Sequence, residues 1–209
     1  MGDSKWWDKR FEVRELNIMP HEKCLEDDMK FFSKSGKILD IACGDGRNAT
    51  FLAKLGYQVI GVDFSRVALQ RLDYFAQKEN LTIKTKLVDL STADEFFRTN
   101  ENEFDGVIIN HYRLKPQLYH VLMKHIKTNG ILWVNGFRDV LTDNPNIKTT
   151  DVLMENDFLS IKDCKLEDKK LYEIGEKKCD KLLFCNTLFL MDSKLGWEEK
   201  NIYFHWLMI

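Results

Sequence analysis

The stretch Ile38–Ser65, ILDIACGDGRNATFLAKLGYQVIGVDFS, predicts a β-α-β unit. We expect a buried strand over 38–41, a turn with two glycines over 42–46 (the glycine turn), a helix over 47–55 and a second buried strand over 59–62. Asp63 follows the second strand, 17 positions after Gly46. This spacing is close to the roughly 20 positions expected for an acid that reaches a pair of ribose hydroxyls. The stretch therefore predicts the nucleotide-binding half of a doubly wound α/β sheet.

The charges around the glycine turn indicate which ligand would fit. A dinucleotide places a pyrophosphate at the helix N-terminus after a GxGxxG turn, and here Ala49 replaces the third glycine. Asp40 and Asp45 bracket the turn, and a nearby negative charge would oppose a phosphate by about 1 kcal/mol or more. The same carboxylates suit the ammonium and sulfonium groups of S-adenosylmethionine (SAM), which has no phosphate. A turn for NAD, for FAD or for no ligand is the alternative.

The segment Asp40–Gly46 resembles motif I of class I SAM-dependent methyltransferases, which reads D-x-[AG]-x-G-x-G with an acid closing the next strand. The run GDGRN, the short helix after it and VIGVDFS resemble the small-molecule branch, notably the tellurite-resistance and thiopurine methyltransferases. The resemblance implies a doubly wound, Rossmann-like sheet of seven mostly parallel strands flanked by helices, with the seventh strand inserted antiparallel. It also implies SAM contacts at the first strand end, in the glycine turn and at the second strand end. These residues are Asp40, Ala42, Cys43, Gly44, Gly46, Asp63 and Phe64.

Later strands predict further ligand contacts at the same edge of the sheet. A strand over 82–88 is followed by Asp89 and Leu90. The resemblance implies that the acid binds the adenine amino group and that the neighbouring backbone contacts the ring. Capping of a helix over 92–97 is the alternative for Asp89. The nearly apolar strand Phe104–Asn110 ends with Asn110 at the carboxyl edge, where ligands bind in such sheets.

His111 and Tyr112 are the candidate general bases, because they leave this strand at its ligand edge. Lining or packing the pocket is the alternative for both. A soft acceptor, such as a thiol or an oxyanion of tellurium or selenium, needs no base. Arg113 and Arg138 are then candidates for binding an anionic acceptor, with surface ion pairs as the alternative.

The N-terminal segment (residues 1–36) combines aromatic and charged residues ahead of the sheet. Trp6 and Trp7 predict either a hydrophobic anchor on the core or a lid over the ligand. The run WWDKRF resembles the W-[DE]-x-[RK]-[FY] segment that precedes motif I in small-molecule methyltransferases. That resemblance implies a lid in which Trp7 and Arg10 contact SAM, with the guanidinium near the SAM carboxylate.

The remaining elements are predicted from hydrophobic periodicity and turn residues. They are a helix over 116–126 that stops at 129–130, a strand over 131–137, a helix over 149–156, and an antiparallel pair of strands over 181–191 and 201–207. The charged run 165–181 is expected to be a solvated surface.

Composition bounds the class of protein. The 209 residues with 44% apolar content suit one domain, divided into the N-terminal segment, a SAM-binding core over 37–140 and an acceptor-side part over 141–209. A net charge of −2 does not favour a nucleic-acid or membrane partner. Five cysteines without a CxxC motif predict neither a metal site nor disulfides. Without an apolar signal region at the N-terminus, we expect a cytoplasmic protein, as a monomer or homodimer.

The leading functional hypothesis is an enzyme that transfers a methyl group from SAM to a small-molecule acceptor, with S-adenosylhomocysteine as product. A protein or RNA methyltransferase is the second hypothesis, disfavoured by the nearly neutral charge. The sequence after Ile109 is also neither NPPY nor DPPY, the motifs of amino-directed nucleic-acid methyltransferases. The third hypothesis is a SAM-binding module without catalysis.

Overall fold

In the computed structural model of the protein, the described residues include seven strands that form one mixed sheet. The structure describes residues 3–91, 103–138, 148–161, 164–174 and 177–186. For residues 171–174 and 177–178, it describes the backbone alone. The strands are β1 (Lys37–Ile41), β2 (Gln58–Asp63), β3 (Ile83–Leu87), β4 (Phe104–Asn110), β5 (Ile126–Phe137), β6 (Lys165–Ile174) and β7 (Lys177–Cys185). The helices are α1 (Ser4–Glu12), α2 (Lys23–Asp28), α3 (Arg47–Lys54), α4 (Arg66–Lys78) and α5 (Pro116–Met123), with 3-10 turns at Met29–Phe31, Thr149–Asp151 and Glu155–Phe158.

The strand order is β3-β2-β1-β4-β5-β7-β6. The first five strands are parallel to one another, and β7 pairs antiparallel with both β5 and β6. This arrangement confirms the predicted doubly wound sheet with an antiparallel inserted strand. Among the described residues, we find no helix with the length and apolar character needed to cross a membrane.

Both faces of the central strands are buried, because alternate residues belong to two separate hydrophobic clusters. Leu39, Val107 and Leu132 pack on one face with α5, whereas Ile38, Ile108 and Trp133 pack on the other with α2 and α3. This double burial explains why the strands read as continuous apolar runs. The strand order also reverses between β1 and β4, which places a crevice at their carboxyl ends.

The helix α4 shows how local sequence sets an element boundary. Ser65 caps its N-terminus by accepting a hydrogen bond from the Ala68 N–H at 3.1 Å. The helix runs over Arg66–Lys78.

Two predictions for the second half of the chain are wrong, and a third is confirmed only in part. The helix α5 ends at Met123, and residues 129–130 lie within β5, where Asn129 pairs through its backbone with Asn186. In place of the α-helix predicted over 149–156, the structure has two 3-10 turns, Thr149–Asp151 and Glu155–Phe158. The charged run 165–181 lies in β6 and part of β7; Lys165, Lys169 and Lys170 are exposed, as expected of a solvated surface, whereas Lys181 is buried. The predicted helix over 92–97, the strand over 201–207 and the end of the strand over 181–191 lie outside the described residues.

A buried ion-pair network joins the N-terminal segment to the inserted strand. The Lys181 Nζ, on β7, lies 2.9 Å from Asp28 Oδ1 and 2.6 Å from Asp168 Oδ2. The Trp133 Nε1–H donates to Asp28 Oδ2 at 2.9 Å. The side chains of Lys181 and Asp28 are 2% and 4% exposed. We call these four residues the Lys181 network.

Candidate functional site

The glycine turn lies at the carboxyl end of β1 and has a left-handed backbone at three positions. Ala42, Gly44 and Gly46 have φ values of 55°, 57° and 88°. A Cβ atom on Gly46 would lie 2.1 Å from Leu72 Cδ1 of α4, so both backbone conformation and close packing require glycine there. Ala42 adopts the same region without being glycine, which is a strain that concentrates at functional sites.

Asp63 connects the end of β2 to the glycine turn. Its Oδ2 accepts a hydrogen bond from the Gly44 N–H at 2.9 Å, and its Oδ1 accepts one from the Ser65 N–H at 2.8 Å. Burial raises the pKa of the Asp63 carboxyl, although these backbone donors oppose the rise. The structure therefore brings Asp63 beside the turn, as the sequence predicted, while its contact with a ribose stays a prediction.

Asp40 is a buried carboxyl at the centre of the site. It is 1% exposed, and its Oδ2 has no hydrogen-bond partner in the described part of the chain. Burial, and then repulsion from Asp63, raise the pKa of Asp40 to about 8, against the attraction of Arg47. A cationic ligand group would stabilise the ionised form of this carboxyl, which the folded protein alone stabilises poorly.

Asp45 does not share this role, which corrects the expectation that it helps attract a cationic ligand. Its carboxylate lies 3.2 Å from Arg14 Nη1 and 3.3 Å from Arg71 Nε. The Arg71 guanidinium also donates to the carbonyl oxygens of Arg14 and Glu15, at 3.1 and 2.7 Å. Asp45 is therefore neutralised by two arginines that fasten the N-terminal segment to the turn. Arg71 was not predicted from the sequence. The available signal was Asp45, the second acid of the turn, because a buried carboxylate needs a positively charged partner.

Cys43 is buried in the same turn, and burial raises the pKa of its thiol well above the ordinary value. The thiol therefore stays protonated at neutral pH, which does not favour a nucleophile. Among the described residues, no cluster of three or more His, Cys, Asp or Glu side chains is arranged to bind a metal ion.

The helix α1 packs on the glycine turn and on α4. Phe11 is 5% exposed, and its ring lies against Gly44. The Asp8 Oδ1 accepts hydrogen bonds from Ser65 Oγ at 2.6 Å and from the Val67 N–H at 3.2 Å. Asp8 therefore supplies a second cap to α4, a contact that the sequence did not predict.

The aromatic pair of α1 lies next to Arg10. The guanidinium carbon of Arg10 lies 5.0 Å from the Trp6 ring centre and 5.6 Å from that of Trp7. The Trp7 Nε1 is buried and has no hydrogen-bond partner among the described residues. These contacts fit the anchoring role of the pair, and the contact of Trp7 and Arg10 with SAM stays a prediction.

The residues predicted to bind adenine lie at the end of β3. Asp89 is exposed, and its Oδ1 accepts a hydrogen bond from the Ser91 N–H at 2.8 Å. Hydrogen bonding from Ser91 lowers the pKa of this carboxyl. Leu90 is 5% exposed and packs in the core, so only its backbone is available to a ligand. Phe64 is half-buried at the end of β2.

His111 lies at the carboxyl end of β4 in a strained backbone conformation. Its φ is 52°, and its backbone N–H donates to the Asn135 carbonyl oxygen at 2.7 Å. Its ring stacks on Phe137, with ring centres 4.7 Å apart. Asn110 lies beside it and accepts a hydrogen bond at Oδ1 from Asn135 Nδ2 at 2.8 Å.

Two residues that the sequence analysis did not assign surround the His111 ring. The Arg47 Nη2 lies 3.3 Å from His111 Nδ1, and the Glu22 Oε1 lies 3.7 Å from His111 Nε2. Arg47 and Glu22 also form an ion pair with each other. We call Glu22, Arg47 and His111 the His111 cluster. Arg47 could have been identified from the sequence, because it belongs to the GDGRN run that follows the first strand.

Tyr112 and Arg113 are poorly suited to their predicted roles, Tyr112 because of its pKa and Arg113 because of its ion-pair partner. Burial raises the pKa of Tyr112 to about 12, so it stays neutral near pH 7 and is a poor general base. Both Arg113 contacts to Asp157 measure 2.7 Å, and the Asp157 side chain is 2% exposed. The guanidinium fork of Arg113 therefore holds the turn Glu155–Phe158, which corrects its expected availability to an anionic acceptor. Arg138 is exposed after β5.

Comparisons with known proteins agree with this geometry. A curated relative, the probable S-adenosyl-L-methionine-dependent methyltransferase TehB of Haemophilus influenzae (strain 10810), is 41% identical over 58 residues, which cover 28% of this chain and 20% of that protein. The ubiquinone biosynthesis O-methyltransferase of Rickettsia typhi is 32% identical over 135 residues, which cover 60% of this chain and 53% of that protein. This chain thus spans at most about half the length of these two relatives.

A solved structure and a family profile complete the comparison. The crystal structure of TehB from Haemophilus influenzae superposes with a TM-score of 0.65 at 20% identity, covering 88% of this chain and 67% of that chain. This likeness shows the fold of a class I SAM-dependent methyltransferase. The profile of the family described as tellurite resistance protein TehB matches residues 4–131, from α1 to the middle of β5. Because that match covers more than half of the 209 residues, the chain belongs to the TehB family of tellurite resistance proteins.

Proposed function

We propose that this protein transfers a methyl group from SAM to a small-molecule acceptor. The observation that carries the proposal is the buried, unpartnered Oδ2 of Asp40 beside the glycine turn, among the described residues. A carboxyl in this position gains a partner when a ligand brings an ammonium or sulfonium group, and SAM brings both. When bound, SAM supplies an electrophilic methyl group.

The protein's own residues would then bind and orient the two substrates. The backbone of the glycine turn and Asp40 hold the methionyl end, Asp63 accepts from ribose hydroxyls, and Asp89 with the Leu90 backbone contacts adenine. Phe64 and Asn110 line the crevice between these positions. His111, at the end of β4, faces the acceptor. Catalysis by such a site consists of alignment, exclusion of water and, where the acceptor has a proton to lose, its removal.

The acceptor is proposed to be small for two reasons. The net charge of −2 offers no broad basic surface for a nucleic acid. The TehB family description names tellurite resistance, and the Rickettsia typhi relative is named for ubiquinone biosynthesis, and both names point to small acceptors.

Calorimetry with SAM, S-adenosylhomocysteine and NAD tests the donor site. We expect micromolar binding of the first two and no binding of NAD above background. Asp63→Ala should weaken SAM binding by about 1.5–3 kcal/mol, the cost of losing a charge-assisted hydrogen bond. Asp27→Ala, at an exposed aspartate of α2, is the matched control and should bind like the wild type. Binding of NAD without SAM, or wild-type affinity of a folded Asp63→Ala protein, would refute the proposal.

We also propose that residues 4–16 close over bound SAM, with Arg10 near its carboxylate. Because Phe11 is buried and Asp8 caps α4, deleting residues 1–11 would also destabilise the core. Limited trypsin digestion avoids that problem, since Lys9 and Arg10 are exposed. We expect S-adenosylhomocysteine to slow cleavage there at least severalfold, with cleavage after the exposed Lys34 as the internal control. Unchanged cleavage at Arg10 would rule out closure.

A further inference from the structure

The His111 cluster brings together three side chains from separate parts of the chain at the crevice. Glu22 lies just before α2, Arg47 is the first residue of α3, and His111 follows β4. The Glu22 side chain is 6% exposed, whereas those of Arg47 and His111 are 24% and 26% exposed. The carboxylate is therefore buried behind two groups that an acceptor can reach.

The contacts determine where the imidazole carries its proton. A guanidinium has donors and no acceptor, so the contact between Arg47 Nη2 and His111 Nδ1 at 3.3 Å requires a lone pair on Nδ1. A neutral His111 in this arrangement has its proton on Nε2. That atom lies 3.7 Å from the Glu22 Oε1, which faces it from the N-terminal segment.

We propose that Glu22 is the positioning residue of a His111 general base, and that Arg47 covers the base until the acceptor binds. This inference rests on the proposed methyl transfer and narrows its acceptor to a hydroxyl or amine that has a proton to lose. The 3.3 Å contact of Arg47 with Nδ1 is long, so an acceptor that hydrogen-bonds Nδ1 can replace it. The ion pair with Glu22 then retains the guanidinium.

The proposed step balances without another reactant. The acceptor proton moves to Nδ1, and the acceptor atom uses the electron pair it keeps to bond the methyl carbon. The carbon–sulfur bond breaks, and its electron pair stays on sulfur as a neutral thioether. The imidazolium formed at His111 is stabilised by the Glu22 carboxylate and returns its proton to water after the product leaves.

Other contacts hold the ring in the orientation that this role needs. The left-handed backbone of His111 and its N–H bond to the Asn135 carbonyl fix the start of the side chain. Stacking on Phe137, which carries no charge, fixes the ring plane. Glu22 is itself held, because its backbone N–H donates to Asn48 Oδ1 at 3.0 Å. A strained backbone conformation costs free energy and is found mostly at functional sites, which supports a functional role for this arrangement.

Titration of His111 by NMR in the protein without substrates tests the two partners in opposite directions. In Glu22→Gln the imidazole loses its anionic neighbour and keeps Arg47, so we expect its titration midpoint to fall by about one pH unit. In Arg47→Met the cation is lost, and the midpoint should rise by a similar amount. Glu26→Gln, at an exposed glutamate of α2 paired with His21 and Lys23, is the matched control and should leave the midpoint unchanged.

Kinetics with an accepted substrate give the second readout. Glu22→Gln should lower kcat about tenfold or more and move the acidic limb of the pH–rate profile with the NMR midpoint, with little change in the KM for SAM. Glu22→Asp should restore part of the rate. A His111 midpoint that moves in the same direction in both variants, or not at all, would overturn the role of Glu22. A failure of SAM binding in the wild type would instead overturn the proposed function.

Discussion

Replacing Lys181 with methionine is expected to lower the free energy of unfolding by about 3–5 kcal/mol, the usual cost of removing one partner from a buried ion pair. The substitution keeps the unbranched stem but leaves the buried Asp28 with only the Trp133 Nε1–H as a described donor. Burial acts to lower the pKa of Lys181, but hydrogen bonds to Asp168 and Asp28 outweigh it and the pKa is raised. The lysine therefore stays charged in the folded protein at neutral pH.

Urea unfolding followed by circular dichroism measures this effect. Lys170→Met, at an exposed lysine of β6, is the matched control and should change stability by less than about 0.5 kcal/mol. The double variant with Asp28→Asn should recover part of the loss, because it removes the unpaired charge. If Lys181→Met lowers the free energy of unfolding no more than Lys170→Met does, the Lys181 network does not stabilise the fold.

The affinity for S-adenosylhomocysteine, which keeps the ammonium group, is expected to rise about 50-fold between pH 6 and pH 8, because binding releases the proton of one carboxyl group. The cause is Asp40, whose pKa is raised to about 8. Below that pH the carboxyl is protonated, and the ligand cation must displace the proton to pair with it. Calorimetry across this pH range, in two buffers of different ionisation heat, measures both affinity and released protons.

Asp40→Asn supplies the matching variant. It should bind the ligand more weakly at pH 8 and show a nearly flat pH profile. Its stability should change as well: the raised pKa of Asp40 means that the folded wild type holds a proton that the unfolded chain releases. The wild type therefore loses stability as pH rises from about 4 to about 8, and the variant lacks this loss. A flat affinity profile in the wild type would contradict the assignment of Asp40.

The β-α-β unit was predictable because its signals are local. The glycines of the turn and the apolar runs each depend on neighbours within a few positions, and the structure places β1, α3 and β2 within two residues of expectation. The antiparallel insertion of the seventh strand followed from the resemblance to class I methyltransferases rather than from periodicity.

Contacts between distant residues were not predictable in the same way. Lys181 sits in a run of charges that reads as a solvated surface, and only its position opposite Asp28, 153 residues away, makes it a core residue. From the sequence, Arg113 could equally bind an anionic acceptor or form an ion pair. The structure shows an ion pair, because a 3-10 turn places Asp157 beside it. Glu22 lies in an unremarkable segment, and its proximity to His111 depends on how that segment crosses the sheet edge.

The Lys181 network also has a consequence for synthesis on the ribosome. Asp28 emerges early, whereas Lys181 follows 153 residues later. At a synthesis rate of about 5–20 residues per second, roughly 8–30 s pass between the addition of Asp28 and the addition of Lys181 to the chain. During that time the N-terminal segment, although made before the sheet, cannot complete its burial against the sheet. The beginning of this chain is therefore expected to be among the last parts to reach native structure in the cell.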